Sequence, residues 1–181
     1  MKIMKKEIDI LDYAKHILQV IKKGFLITAK SNDRINTMIG SWGCIGIEWE
    51  KPIFIVFIRE NRFTRTLIEE NPEFTINIPI ESIDKKIRKF VGTQSGRDID
   101  KIKELNLTLV EPSVISVPAI KEFPLTIECK VLYKQKQDSK EIPEEFKNTF
   151  YPQDVDGYFY GMNRDYHFAY YGEIVSAYII E

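Results

Sequence analysis

Apolar and polar residues follow different periods along the chain, and each change of period marks an element. Between Asp9 and Lys23, the apolar residues Leu11, Ala14, Ile17, Leu18 and Ile21 recur three and four apart, which predicts a helix with one apolar stripe. Gly24 follows, a natural C-terminal residue because it enters the left-handed region without a Cβ penalty. The pattern then turns to strand. Phe25–Lys30 is β-prone, Ser31–Arg34 is turn-like, and Asn36–Trp42 is a second strand that Gly43–Trp49 extends through small residues. Pro52 introduces the apolar run Ile53–Arg59, predicted to be a strand buried on both faces. Asn61–Asn71 reads as a loop entering a short helix with Thr64 as its N-cap, and Phe74–Ile78 as a strand. Ser82–Val91 and Asp98–Leu105 are predicted helical, with a Gly-Thr-Gln-Ser-Gly-Arg turn between them. A proline-punctuated extended segment leads to the strong strand Leu125–Tyr133. Residues 134–165 are irregular apart from a short helix at Glu144–Phe150, and Tyr166–Ile179 is a long strand.

Six or so strands, separated by short helices without regular βαβ alternation, argue against a doubly wound parallel sheet. The expected fold is mainly β: an antiparallel barrel with peripheral helices. No repeat and no Gly-, Ser- or Pro-rich linker divides the chain. Residues 1–181 are therefore read as one domain, an N-terminal helix over 1–24 and a barrel over 25–181.

Composition narrows the functional classes. The 181 residues carry a formal net charge of -1, without the basic excess typical of nucleic-acid-binding domains. The longest apolar run, Ile53–Ile58, is far short of the ~20 residues that span a bilayer. Glu7, Asp9 and Asp12 interrupt any signal-peptide core. Cys44 and Cys129 form neither a disulfide framework nor metal-ligand spacing and are expected in the core; with only His16 and His167, a histidine-rich zinc site is not expected. A reducing, cytoplasmic setting is the expectation.

Candidate chemistry lies in four clusters. Asn36–Trp42 exposes small polar side chains and backbone on which a planar ligand can lie, although an edge strand with ordinary polar positions gives the same pattern. Arg59–Thr66 places three arginines and two threonines around a helix start, a natural phosphate seat or else a solvated, capped turn. Thr93–Lys101 bends at Ser95 and Gly96 and brings Arg97 and Lys101 near converging N–H groups, with Asp98 available to cap the next helix. His167 stands on the long strand among aromatics, at a pocket mouth or packed against Tyr170 or Tyr133.

These clusters, in this order, resemble the flavin-reductase-like family, its flavoredoxin branch in particular. The stretches NTMIGSWG, KPIFIVFI, RFTRTLIEENPEFTINIP, SGRDIDK, PLTIECKV and HFAYYGEIV carry the resemblance over most of the span from Gly24 onward. It implies an FMN-binding split β-barrel that works as a homodimer, the flavin lying near the interface. By this resemblance Asn36, Thr37, Met38, Ser41 and Trp42 line the isoalloxazine and ribityl chain. Arg59, Arg62, Phe63 and Thr64 sit near the ribityl phosphate with Asn77 behind them, and Ser95, Gly96, Arg97 and Lys101 complete the anion site. His167 takes the place of a histidine near the nicotinamide face, although the family's Gly-Asp before it reads Asp165-Tyr166 here. The implied activity is electron transfer through bound FMN. It takes the form of an NAD(P)H-dependent flavin reductase, or of an electron carrier serving another redox protein without nicotinamide. A non-redox binding protein of the same barrel is the third class.

Overall fold

The computed structural model describes residues 3–80 and 83–181. The chain begins with β1 (Lys5–Glu7), a 3-10 turn over Ile10–Tyr13 in which the Leu11 N–H donates to the Asp9 carboxylate, and α1 (Ala14–Ile21). The helix predicted over Asp9–Lys23 is thus a tight turn followed by two helical turns. Gly24 then takes φ 108°, which a side chain would strain.

Four strands follow: β2 (Phe25–Ser31), β3 (Arg34–Gly40), β4 (Gly43–Glu48) and β5 (Lys51–Arg59). The predicted continuous strand from Asn36 to Trp49 breaks at Ser41-Trp42. A Cβ on Gly40 would stand 2.9 Å from the Ile27 and Phe25 side chains, so only glycine lets the backbone cross so close to β2 as it leaves the strand. Next come α2 (Phe63–Glu70), β6 (Glu73–Ile78), α3 (Lys85–Thr93) and α4 (Lys101–Glu104). The predicted helix start at Ser82 lies outside the described residues. A small hairpin of β7 (Leu109–Val110) and β8 (Ala119–Ile120) precedes β9 (Leu125–Lys136), α5 (Glu144–Phe150) and β10 (His167–Ile180).

Among the described residues, the main sheet runs β3-β2-β6-β9-β10-β5-β4, every pair antiparallel, with β1 alongside the far half of β10. Its two outer strands, β3 and β4, are consecutive and only two residues apart. The sheet must curl until its ends nearly meet, and a split β-barrel results. Inside lie Phe25, Ile27, Phe54, Val56, Ile58, Phe74, Ile76, Ile127 and Tyr170, capped by Ile17 of α1 and Leu67 of α2. Each such side chain contributes about 1.5–3 kcal/mol by leaving water. Gly172 passes so near Phe74 that a Cβ would sit 2.5 Å from its ring, and the β9–β10 ladder shifts register there.

Two expectations are corrected by this packing. β5 is not buried on both faces, because Ile55 and Phe57 remain half-buried on the outer side. Cys129 is in the core, but Cys44 is exposed on the outer strand β4. A second apolar cluster, Leu26, Val91, Leu107, Ile120 and Phe123, fixes α3 against the outside of the barrel. No helix among the described residues is long and apolar enough to cross a membrane.

Candidate functional site

A groove of about 550 Å³ opens where β3, the start of α2 and the end of α3 converge. Strand β3 turns Asn36 and Met38 toward it, and the helix start contributes Arg62, Phe63 and Thr64. The turn after α3 contributes Ser95, Gly96 and Arg97. Lys101 lines it from α4, and Tyr158 and Tyr160 reach it from the segment before β10.

Helix α2 begins at Phe63, with Arg62 as an extended N-cap residue whose side chain does not cap. Thr64 is therefore not the cap. It lies one turn position inside, buried, and its hydroxyl accepts from Asn36 Nδ2 at 2.8 Å. A helix end uncovered by a capping side chain leaves its first N–H groups and its positive dipole end available to an anion. The Phe63 ring lies beneath two guanidiniums, Arg34 at 4.4 Å and Arg97 at 5.6 Å. Arg97 also donates to the Asn61 carbonyl at 2.8 Å, and the Ser95 hydroxyl accepts from the Arg97 N–H at 3.2 Å. A Cβ on Gly96 would stand 2.0 Å from Asn36 Oδ1, so the turn closes onto β3 only as glycine.

Lys101 is 4% exposed, and its ammonium donates to the carbonyls of Thr37 and Val91, both at 3.0 Å. Burial first, then the nearby Arg62 charge, lowers its pKa from 10.5 to about 8. Burial also lowers Arg62, with Asp165 opposing and Arg97 reinforcing the shift. The predicted cap of the next helix moves as well: Asp100, not Asp98, accepts from the Lys103 N–H. Arg62, Arg97 and Lys101 thus face a groove whose lining includes one carboxylate, Asp98.

A second cavity of about 210 Å³ adjoins the first and shares Met38, Arg62 and Tyr160 with it. Ser41, Trp42, Phe57, Arg59 and His167 line it. The His167 imidazole lies 4.9 Å from Trp42, ring centre to ring centre, and its Nδ1 is 2.9 Å from the Tyr151 hydroxyl. That hydroxyl donates its single hydrogen to Gln137 Oε1 at 2.9 Å, so Nδ1–H is the donor to Tyr151 and Nε2 is left as an acceptor. Burial, then Arg59 and Arg62, pushes the His167 pKa down to about 3, and the ring is neutral near pH 7. Its packing partners are Trp42 and Tyr151 rather than Tyr170 or Tyr133.

Two expected site residues stand elsewhere, and a third lines a cavity while its guanidinium is held by the protein itself. Thr37 alternates with Asn36 and Met38, so its side chain points to the other face and meets Thr28 Oγ1 at 3.1 Å. Asn77 is wholly buried in β6, and its Nδ2 donates to Thr126 Oγ1 at 2.9 Å. Arg59 lines the second cavity, but its guanidinium is taken up by carbonyls at the end of α5 and in the loop before β10. Nη1 donates to Asp165 at 2.6 Å and Asn163 at 3.1 Å, and Nη2 to Phe150 at 2.8 Å. It fastens that loop to the end of β5. Conversely, Asn61, Gly92, Tyr158 and Tyr160 line the groove without having been among the expected site residues. The aromatic density of Tyr158-Phe159-Tyr160 was the available signal.

The family model for the flavin reductase like domain matches residues 21–181. The chain belongs to this family. Its flavin-reductase-like sequence is 34% identical over 100 residues to an uncharacterized protein of Archaeoglobus fulgidus, 55% of each chain. It is 33% identical over 110 residues to the uncharacterized protein YddH of Escherichia coli, covering 59% of this chain and 57% of that one. The match thus spans little more than half the length of these relatives. Among solved structures, a flavoredoxin of Desulfovibrio vulgaris superposes with a TM-score of 0.63 at 24% identity, over 87% of this chain and 69% of that one. Nitrilotriacetate monooxygenase component B from Bacillus cereus gives 0.65 at 18% identity, over 96% and 77%. At these identities the superpositions establish a shared fold.

Proposed function

We propose that this chain binds FMN across the two adjoining cavities and works as an FMN-dependent oxidoreductase with NAD(P)H as electron donor. The carrying observation is the convergence of Arg62, Arg97 and Lys101 with the uncapped start of α2 on one concavity, in a protein of net charge -1. The residues present fit the group. Cationic donors outnumber carboxylates where a phosphate would lie, and Asn36 Oδ1 is a buried acceptor without a partner among the described residues, available to a hydroxyl of a ribityl chain. Met38, Ser41, Trp42 and Phe57 offer the mixed apolar and polar wall that a planar ring system needs.

Bound flavin supplies the two-electron and one-electron chemistry. The protein's part is to hold and orient. Arg62 touches both cavities and links phosphate recognition to placement of the ring end. Trp42, which lines the second cavity, packs edge to face against Phe150 at 5.3 Å. His167, neutral and with Nε2 as acceptor, is suited to receive an N–H of a nicotinamide carboxamide.

The test is a titration of the ligand-free protein with FMN and riboflavin, followed by anaerobic addition of NADPH and NADH. FMN should bind about one per chain and far more tightly than riboflavin, and the nicotinamide should bleach it. Equal affinity for the two flavins would remove the phosphate site; bound FMN that no nicotinamide reduces would leave the electron-carrier reading. A homodimer is proposed as well. Ile47 and Trp49 are exposed beside β4, and Trp49 meets Tyr133, which meets Tyr171, in an aromatic patch across the outer face of the sheet. Sedimentation of the FMN-loaded protein as a monomer at micromolar concentration would refute it.

A further inference from the structure

A third concavity, of about 370 Å³, lies along α3 and is lined by Lys85, Arg88 and Lys89. These residues are spaced three and four apart, so they share one helix face, and Gly92 and Thr93 continue it. The opposite face, Ile87 and Val91, is packed on the barrel. Among the described residues none of the three cations forms an ion pair, and no carboxylate lines the concavity. It shares Gly92, Thr93 and Tyr160 with the anion groove, and Ser41 and Tyr160 with the cavity that holds His167.

Gly92 strengthens the case. Glycine is disfavoured within helices relative to alanine, and here a Cβ would meet only Ile39 Cγ2 at an ordinary 3.6 Å. No neighbouring protein atom demands glycine at this position. A side chain would instead project into the junction between the two basic concavities, where a ligand would pass close to the backbone.

We infer that Lys85, Arg88 and Lys89 form a second anion subsite, distinct from the Arg62–Arg97–Lys101 groove, which takes the pyrophosphate of the dinucleotide electron donor. This rests on the reading of the first groove as the flavin phosphate site. With one anion seat occupied by the flavin, a dinucleotide whose ring end enters the His167 cavity must place its phosphates within reach of that cavity. The α3 face is the adjoining cationic surface. It also accounts for three clustered cations that form no ion pair among the described residues, and whose mutual repulsion a polyphosphate relieves.

The experiment uses FMN-loaded protein and two redox-inert probes, inorganic pyrophosphate and ADP-ribose, measured by calorimetry, beside stopped-flow reduction by NADPH. In a K85Q/R88Q/K89Q variant, both probes should bind about tenfold or more weakly, and half-saturation by NADPH should rise in parallel, while FMN affinity stays at the parent value. Lys86→Gln removes a like charge from the same helix without touching the concavity, and should leave probe binding unchanged. Equal loss in Lys86→Gln, or unchanged probe binding in the triple variant, would overturn the subsite. A parallel loss of FMN would also overturn it, because the α3 face would then be part of the flavin site. Failure of the parent protein to bind FMN at all would instead strike the functional reading beneath it.

Discussion

Lys101 offers the sharpest test of the anion groove, because its charge is held at a cost that a phosphate would remove. The difference between 10.5 and about 8 corresponds to about 3 kcal/mol against the ammonium form in the ligand-free fold, caused first by burial and then by Arg62. Between those values the unfolded chain binds the proton and the folded chain does not. The ligand-free protein should therefore gain stability as pH rises from about 8 to about 10.5. An FMN phosphate beside Lys101 would restore the charged form, so binding above pH 8 requires proton uptake. FMN affinity should be level just below about pH 8 and then fall by up to about tenfold per pH unit. Riboflavin lacks the phosphate and should show no such slope, and Lys101→Met should abolish it for FMN. Fluorescence titrations of both flavins between about pH 7.5 and 9.5 measure this directly. Parallel slopes for the two flavins, or an FMN slope that survives Lys101→Met, would refute the placement of the phosphate near this lysine.

Three further outcomes follow from the packing. Arg59→Met should leave the carbonyls of Phe150, Asn163 and Asp165 without their donor and destabilise the protein by about 3 kcal/mol or more, with hydrogen-exchange protection lost first over residues 150–165. His167 is neutral in the fold down to about pH 3, so its stabilising contribution is complete above its ordinary 6.5 and declines as pH falls toward 3. Its NMR ring signals should not titrate between about pH 5 and 8, and His167→Ala should keep FMN while slowing nicotinamide reduction. The buried Glu128 carboxylate accepts the N–H groups of Ser113, Val114 and Ile115 at 2.6, 2.7 and 3.2 Å, and Glu128→Ala should cost about 3–5 kcal/mol in a chemical melt, since charged hydrogen bonds contribute about 1.5–3 kcal/mol each.

The barrel strands could be read from periodicity because a buried face imposes an unbroken local pattern. The lining of the groove was legible where chain neighbours enter it together, as Arg62-Phe63-Thr64 and Ser95-Gly96-Arg97 do. It was less legible where a residue's hydrogen-bond partners come from a distant segment. Nothing near Arg59 in the chain announces that carbonyls about a hundred residues later occupy its guanidinium. Thr37 lies outside the groove lining for a simpler reason: it sits between two groove residues, and the strand turns it to the opposite face. Caps slipped by two residues, from Thr64 to Arg62 and from Asp98 to Asp100, because several residues at a turn suit the position and long-range packing chooses among them.

The position of β10 has a consequence for how the barrel assembles. Strands β3, β2, β6 and β9 form one contiguous half of the sheet, and β5 with β4 forms a hairpin that joins it only through β10. Until residues 167–180 are in place, that hairpin has no neighbour and β9 has a bare edge along its length. Contacts such as Phe54 with Gly172 and Lys5 with Ile180 close loops of more than a hundred residues. Folding should accordingly be slow, limited by docking of this one strand, with a partly assembled species whose open edges favour association.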